Sequence, residues 1–274
     1  MTNPIQTRLA CLPMYDPPEL NGANDTLWQA LAQRLRQAGL SGVPERLTRR
    51  DDLRAMWCDP GLLLGQTCGY PLMTELRGEL QVVATPVYRA PGCDGAFHRS
   101  AIIVREDDPV ADLVGLAGRR CVINGWDSNS GMNLLRAALA PVAQGRRLFT
   151  EISISGSHRE SLRRVAAGAA DVAAIDCVTL ALLRRIEPAP VAAIRILAWT
   201  PASPSLPLVS AAATDAAEIA ALRVALAEIA ADPALSALRD ELLIEDFVEL
   251  PPNAYAAVTA LEASAAAEGY PLLA

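Results

Sequence analysis

The chain has 274 residues, 51% of them apolar and 20% charged, with a formal net charge of -7. This length carries one large or two ordinary α/β domains with full cores, and the acidic balance excludes nucleic acid as a partner, because binding a phosphate backbone needs a basic face. All 24 basic residues are arginine, which excludes a P-loop lysine and Schiff-base chemistry.

Residues 1 to 16 lack the apolar run of a secretory signal. Cys11 follows no membrane-spanning run, so it reads as a strand cysteine rather than a lipid-attachment site. No stretch approaches the roughly 18 apolar residues of a transmembrane helix. The expectation is therefore a soluble chain without membrane insertion, cytoplasmic as written and periplasmic if its N-terminus was trimmed or misassigned. The six cysteines are dispersed without a C-x-x-C pair, beside only two histidines. They read as small buried apolar side chains, with no metal site, no disulfide scaffold and no cofactor expected.

In chain order, a strand at 8–12 runs into a proline-rich turn, and Asn24 or Asp25 caps a helix that carries Leu27, Trp28, Leu31 and Leu35 and stops at Gly39. A short strand at 46–48 and a helix at 51–57 follow. A buried strand at 61–64 leads into Gln66-Thr67-Cys68-Gly69-Tyr70 and a helix at 72–76. Strands at 80–88 and 97–105 flank a loop rich in turn formers. Beyond them come a helix at 110–116, a strand at 120–124, the turn Ser128-Asn129-Ser130-Gly131 and a helix at 132–139.

Residues 151–183 then spell strand, turn, helix, strand, turn, helix. Ile152 and Ile154 alternate with serines, the period of a strand, whereas Leu162, Val165, Ala166 and Ala169 recur at helical spacing. Asp171 to Ile175 is a short apolar run of the kind covered on both faces, and Asp176 opens the next helix. A strand at 194–199 and a proline-rich return precede a strand pattern at 208–210. Helices at 215–231, 233–243 and 253–268 finish the chain.

The chemistry lies in the turns. Ser128-Asn129-Ser130-Gly131, Ser155-Gly156-Ser157-His158 and Asp176-Cys177 each join a strand to a helix start, on the sheet edge where ligands bind in open α/β folds. Free N–H groups and hydroxyls at neighbouring helix starts make a lysine-free cradle for a tetrahedral oxyanion. His158 adds a hydrogen bond, or a charge if protonated. Asp176 can accept from a ligand amine or hydroxyl, while Tyr15, Gln66, Thr67 and Tyr70 can close the cleft from another lobe. Each position also has a structural reading. Ser157 with Glu160 forms a capping box, Ser130 and Asp176 are good N-caps, His158 and both tyrosines can cover apolar surface, and His98 reads as structural within its strand.

The runs 155–162 and 168–176, with Ser128-Asn129-Ser130-Gly131 upstream and Leu64-Gly65-Gln66-Thr67-Cys68-Gly69-Tyr70-Pro71-Leu72, resemble the phosphate/phosphite/phosphonate substrate-binding proteins of ABC transporters. The resemblance covers nearly the whole chain and is strongest from 120 to 185. It implies a two-lobed type II periplasmic-binding-protein fold, each lobe a mostly parallel sheet flanked by helices, with residues 1–98 and 203–274 in one lobe, 99–202 in the other, and two hinge strands between. It further implies that Ser128, Asn129, Ser130 and His158 hold the phosphonate, that Asp176 faces the ligand's amino end, and that Tyr70 is a cleft aromatic. Asn129 stands where serine or threonine is common in the motif. The expected function is non-catalytic trapping of a small oxyanion for transport or sensing, with ABC transporter membrane subunits as partners. The alternatives are an enzyme using Cys68 with His158 as base, or a binding protein for another metabolite such as a thiamine-type precursor.

Overall fold

The computed structural model describes residues 8–274. The reading of the first residues as lacking an export signal falls partly on residues 1–7, which lie outside the described ones. Among the described residues no helix is long and apolar enough to cross a membrane.

The elements in chain order are β1 (Leu9–Cys11), α1 (Asn21–Gln37), α2 (Leu53–Trp57), β2 (Leu62–Gln66), α3 (Gly69–Met73), β3 (Leu80–Tyr88), β4 (Phe97–His98), β5 (Ser100–Arg105), β6 (Arg120–Ile123) and α4 (Leu134–Ala143). They continue as β7 (Glu151–Ile154), α5 (His158–Ala166), β8 (Ala173–Asp176), α6 (Cys177–Ile186), α7 (Pro188–Ala192), β9 (Ile194–Trp199), β10 (Ser203–Pro204), β11 (Leu208–Ala211), α8 (Ala216–Ala231), α9 (Ser236–Glu241), β12 (Ile244–Val248) and α10 (Ala256–Ala267).

The chain divides into two compact units. The first is Met1–Arg89, described from residue 8 onward, with Ser205–Pro251; the second is Ala90–Pro204 with Pro252–Ala274. The chain thus passes between them three times, not twice.

The expected boundaries shift for two reasons. Residues 90–98 belong to the second unit because β4 pairs antiparallel with β10 and His98 bonds to Asp176. Residues 252–274 join it as well. There α10 packs on α4, Asn133 Nδ2 donates to the Val258 carbonyl at 3.0 Å, and the Ala274 carbonyl accepts from Leu148 N at 2.8 Å.

In the first unit the sheet order is β1-β2-β11-β3-β12. Only β1 and β2 pair in parallel; β11 and β12 pair antiparallel to their neighbours. In the second unit β5 lies antiparallel between β8 and β9, while β6 and β7 are parallel, with a parallel bridge from Cys121 to Val172 linking β6 to the segment that enters β8. The sheets are therefore mixed, where the family resemblance implies mostly parallel ones. Strand direction is the reason, since an apolar run reads the same either way and β11 returns from the other unit instead of following a crossover helix.

Local sequence explains the elements well. Leu27, Trp28, Leu31, Ala32 and Leu35 fall on one buried face of α1, which packs on α8 and α9. In the second unit Leu162 and Val165 of α5 meet Ile103, Val122 and Ile175 from three strands, all essentially inaccessible, each such burial stabilising by about 1.5–3 kcal/mol. Residues 46–48 form no strand, the 110–116 helix shrinks to a 3-10 turn at Val114–Leu116, and Leu20 rather than Asn24 or Asp25 precedes α1. Asn24 is drawn inward, its Nδ2 donating to the Tyr15 carbonyl at 3.0 Å.

Candidate functional site

In the second unit the carboxyl ends of β6, β7 and β8 bring the three predicted turns together. The turn after β6 opens on a π-helical stretch, Asn129–Asn133, before α4 begins. Such wide turns concentrate at functional positions. Ser128 caps it, its Oγ accepting from Gly131 N at 2.9 Å, and a hydroxyl that accepts in this way keeps its proton to donate. Ser130 Oγ lies 2.8 Å from His158 Nε2, the first residue of α5. Two helix starts thus meet through one hydroxyl–imidazole bond.

Burial holds the His158 pKa below its usual value, against the charge of Asp176, which pulls it up; His98 adds to the lowering and the Ala174 carbonyl opposes it. Of the two roles open to it, His158 therefore takes the uncharged one at neutral pH, giving or accepting a hydrogen bond. Asp176 is 1% exposed. Its Oδ2 lies 2.7 Å from His98 Nδ1 and its Oδ1 accepts from Thr179 N at 2.9 Å, capping α6. Burial pushes the carboxyl pKa upward, but the bond to His98 and the two histidines outweigh it and leave the pKa below its ordinary value. The acid is therefore charged, and it holds His98 and the start of α6 at the same time.

Asn129 is also turned inward. Its Nδ2 donates to Ser203 Oγ and its Oδ1 accepts from Asn133, both at 2.9 Å. Ser157 Oγ accepts from Glu160 N at 3.1 Å, so the capping role is realised, although Glu160 bonds Arg164 rather than returning to Ser157.

Gly131 has a specific reason to be glycine. A Cβ there would sit 1.8 Å from Asn124 Oδ1 and 3.2 Å from His158 Cε1. Gly131→Ala is expected to destabilise the protein by about 1–3 kcal/mol through overpacking, seen as a lower midpoint in chemical denaturation; an unchanged midpoint would mean that Asn124 swings aside freely.

In the first unit Gln66 ends β2 and Thr67 and Tyr70 follow it, while Tyr15 follows β1. The Tyr15 and Tyr88 rings meet edge to face with centroids 5.1 Å apart. Gln66 Nε2 donates to Tyr88 Oη at 2.9 Å and to the Leu206 carbonyl at 3.3 Å. Thr67 is fully buried, its N–H donating to the Pro207 carbonyl at 3.2 Å. Tyr70 is half-buried in α3. Cys68 belongs to this unit and His158 to the other.

Three residues of these clusters escape the sequence reading, Asn124, Ser203 and Tyr88, whereas His98, read as structural, is the buried partner of Asp176. Composition offered one signal, since the chain has just two histidines and both act on Asp176.

The model of a protein family described as ABC transporter, phosphonate, periplasmic substrate-binding protein matches residues 62–255, more than half of the chain. No curated protein matches it. Among solved structures, a binding protein component of an ABC phosphonate transporter from Pseudomonas aeruginosa is similar with a TM-score of 0.75 at 15% identity, over 96% of this chain and 88% of that one. PhnD1 from Prochlorococcus marinus, solved with methylphosphonate, gives a TM-score of 0.74 at 14% identity, over 94% and 98%. A Xanthomonas citri protein solved with ATP gives 0.69 at 20%, over 96% and 98%. The fold is that of the type II periplasmic binding proteins, and the chain belongs to the phosphonate substrate-binding family of periplasmic ABC transporter proteins.

Proposed function

We propose that this chain binds the oxyanion head of a small phosphonate without chemical change and hands it to the membrane subunits of an ABC transporter from the periplasmic side. The observation that carries this reading is the Ser130–His158 bond joining two helix starts at the carboxyl edge of β6 and β7. Helix-start amides and hydroxyls stabilise an anion without a lysine, and an uncharged imidazole orients the hydroxyl. Ser128, Gly131 and Ser157 complete the backbone around these two side chains. Asn129 and Asp176 serve as its inner support, with their bonds to Ser203 and His98. In the first unit Tyr15, Gln66, Thr67 and Tyr70 are the proposed ligand contacts. A Cys68 nucleophile with His158 as base is disfavoured, because His158 Nε2 is engaged by Ser130.

The test is a thermal-shift and calorimetric screen of methylphosphonate, phosphite, phosphate, a sulfonate and a thiamine-type precursor. A ligand at a hundred times its Kd stabilises the folded state by about 2.7 kcal/mol, or roughly 5–10 °C for a chain of this size. A shift with methylphosphonate or another phosphorus oxyanion supports the proposal. A response to the precursor alone, or to none of the five, rejects it.

A further inference from the structure

Outside the proposed anion site, the second unit brings two thiols together that lie far apart in sequence. Cys93 Sγ and Cys177 Sγ are 3.4 Å apart, and neither is in a disulfide. The loop that carries Cys93 is closed by its own backbone bonds. Cys93 N donates to the Ala90 carbonyl at 2.9 Å, and Asp94 and Phe97 exchange backbone bonds that close the turn. Gly92 has a φ of +104°, and a Cβ there would sit 2.9 Å from Cys177 Cβ and 2.6 Å from the Trp199 ring, so the approach is as close as a glycine permits. Cys177 is buried as the first residue of α6, next to Asp176, with its N–H donating to the Arg99 carbonyl at 3.2 Å. Cys93 is only half-buried, open to a small reagent.

We propose that Cys93 and Cys177 form an intramolecular disulfide on exposure to a low-molecular-weight disulfide such as oxidised glutathione, making this pair a redox modification site beside Asp176. The Cys93 thiolate attacks one sulfur of the reagent, forming a mixed disulfide and expelling one glutathione thiolate. Cys177 then gives up its proton and attacks the Cys93 sulfur, expelling the second glutathione. The protein loses two electrons and two protons, and one glutathione disulfide becomes two thiols. The order follows from the environment: the bond from Cys177 holds the Cys93 thiol below its ordinary pKa although burial opposes it, whereas its hydrogen bond to Cys93, burial and the Asp176 charge push Cys177 up. Cys93 is the attacking sulfur and Cys177 the resolving one.

The experiment treats the full folded chain with oxidised glutathione, alkylates the remaining thiols in denaturant, and maps the peptides by mass spectrometry. The free-thiol count is expected to fall from six to four, with a linked peptide joining Cys93 to Cys177. The crosslink closes a long loop and should raise the thermal midpoint by roughly 5–10 °C. Cys93→Ser should keep its remaining thiols free of any internal crosslink, whereas Cys58→Ser, which removes an exposed cysteine, should still lose two. Six free thiols after treatment, a glutathione adduct persisting on Cys93, or a crosslink between any other pair would overturn the assignment.

Discussion

Replacing Ser130 and His158 together with alanine is expected to weaken methylphosphonate binding by a hundredfold or more in calorimetry. Hydrogen bonds to a charged acceptor are each worth about 1.5–3 kcal/mol, and a hundredfold corresponds to roughly 2.7 kcal/mol, so losing the hydroxyl and the imidazole that orients it suffices. Stability responds less. The Ser130–His158 bond lies between two helix starts that keep their caps, because Ser128 and Ser157 supply those caps independently. A fall in denaturation midpoint with affinity intact would instead assign both side chains to structure alone. The single variants separate the roles: Ser130→Ala should cost most of the affinity if the hydroxyl donates to the ligand, and His158→Ala most of it if the imidazole does.

Asp176→Ala is expected to have the largest effect on folding. The carboxylate is buried against His98, whose side chain is fully enclosed, and removing one member of a buried pair costs about 3–5 kcal/mol. Loss of the α6 cap adds about 1 kcal/mol. The second unit should melt roughly 10 °C lower or more. Asp176→Asn keeps an acceptor oxygen and a cap, and should recover part of that loss. A midpoint within a degree of the parent for Asp176→Ala would show that the pair contributes nothing.

Acid should reproduce the loss in the unchanged protein. The folded Asp176 carboxyl titrates below its unfolded value near 3.9, so its contribution is complete above that pH and disappears as the pH falls through the folded pKa. His158 acts earlier. Its folded pKa lies below the unfolded value near 6.5, the unfolded chain binds the extra proton, and stability declines as the pH drops beneath 6.5. A melting series from pH 7 to pH 3 should therefore fall in two stages, with the upper one missing in His158→Ala.

Much of this was readable in the chain. Alternation at Ile152 and Ile154, helical spacing at Leu162 and Val165, and the apolar run into Ile175 each mark an element that the structure contains. Turn chemistry places Ser130 and His158 on one sheet edge, where a hydrogen bond joins them. The misses share a cause. The strand expected at 46–48 had β-type residues but no partner, and pairing, not propensity, makes a strand. Order in sequence puts the tail with the first lobe, after β11 and α8, whereas contacts place it on the second: α10 packs on α4, and Asn133 and Arg136 donate to the Val258 and Pro271 carbonyls.

Periodicity and turn residues, then, determine which segments are strands and helices, and which polar side chains stand at helix starts, because those properties are set by neighbours within a few positions. Only the tertiary structure decides where the polar groups point. Asp176 reads in the sequence as an acid at a helix start, and only the fold adds His98, 78 residues away, as its buried partner; Asn129 reads as a turn residue, and only the fold brings Ser203, 74 residues on, to accept from its amide. A buried polar atom needs a hydrogen-bond partner from wherever the chain can provide one, and that choice is made by packing across the fold, beyond the reach of any local pattern.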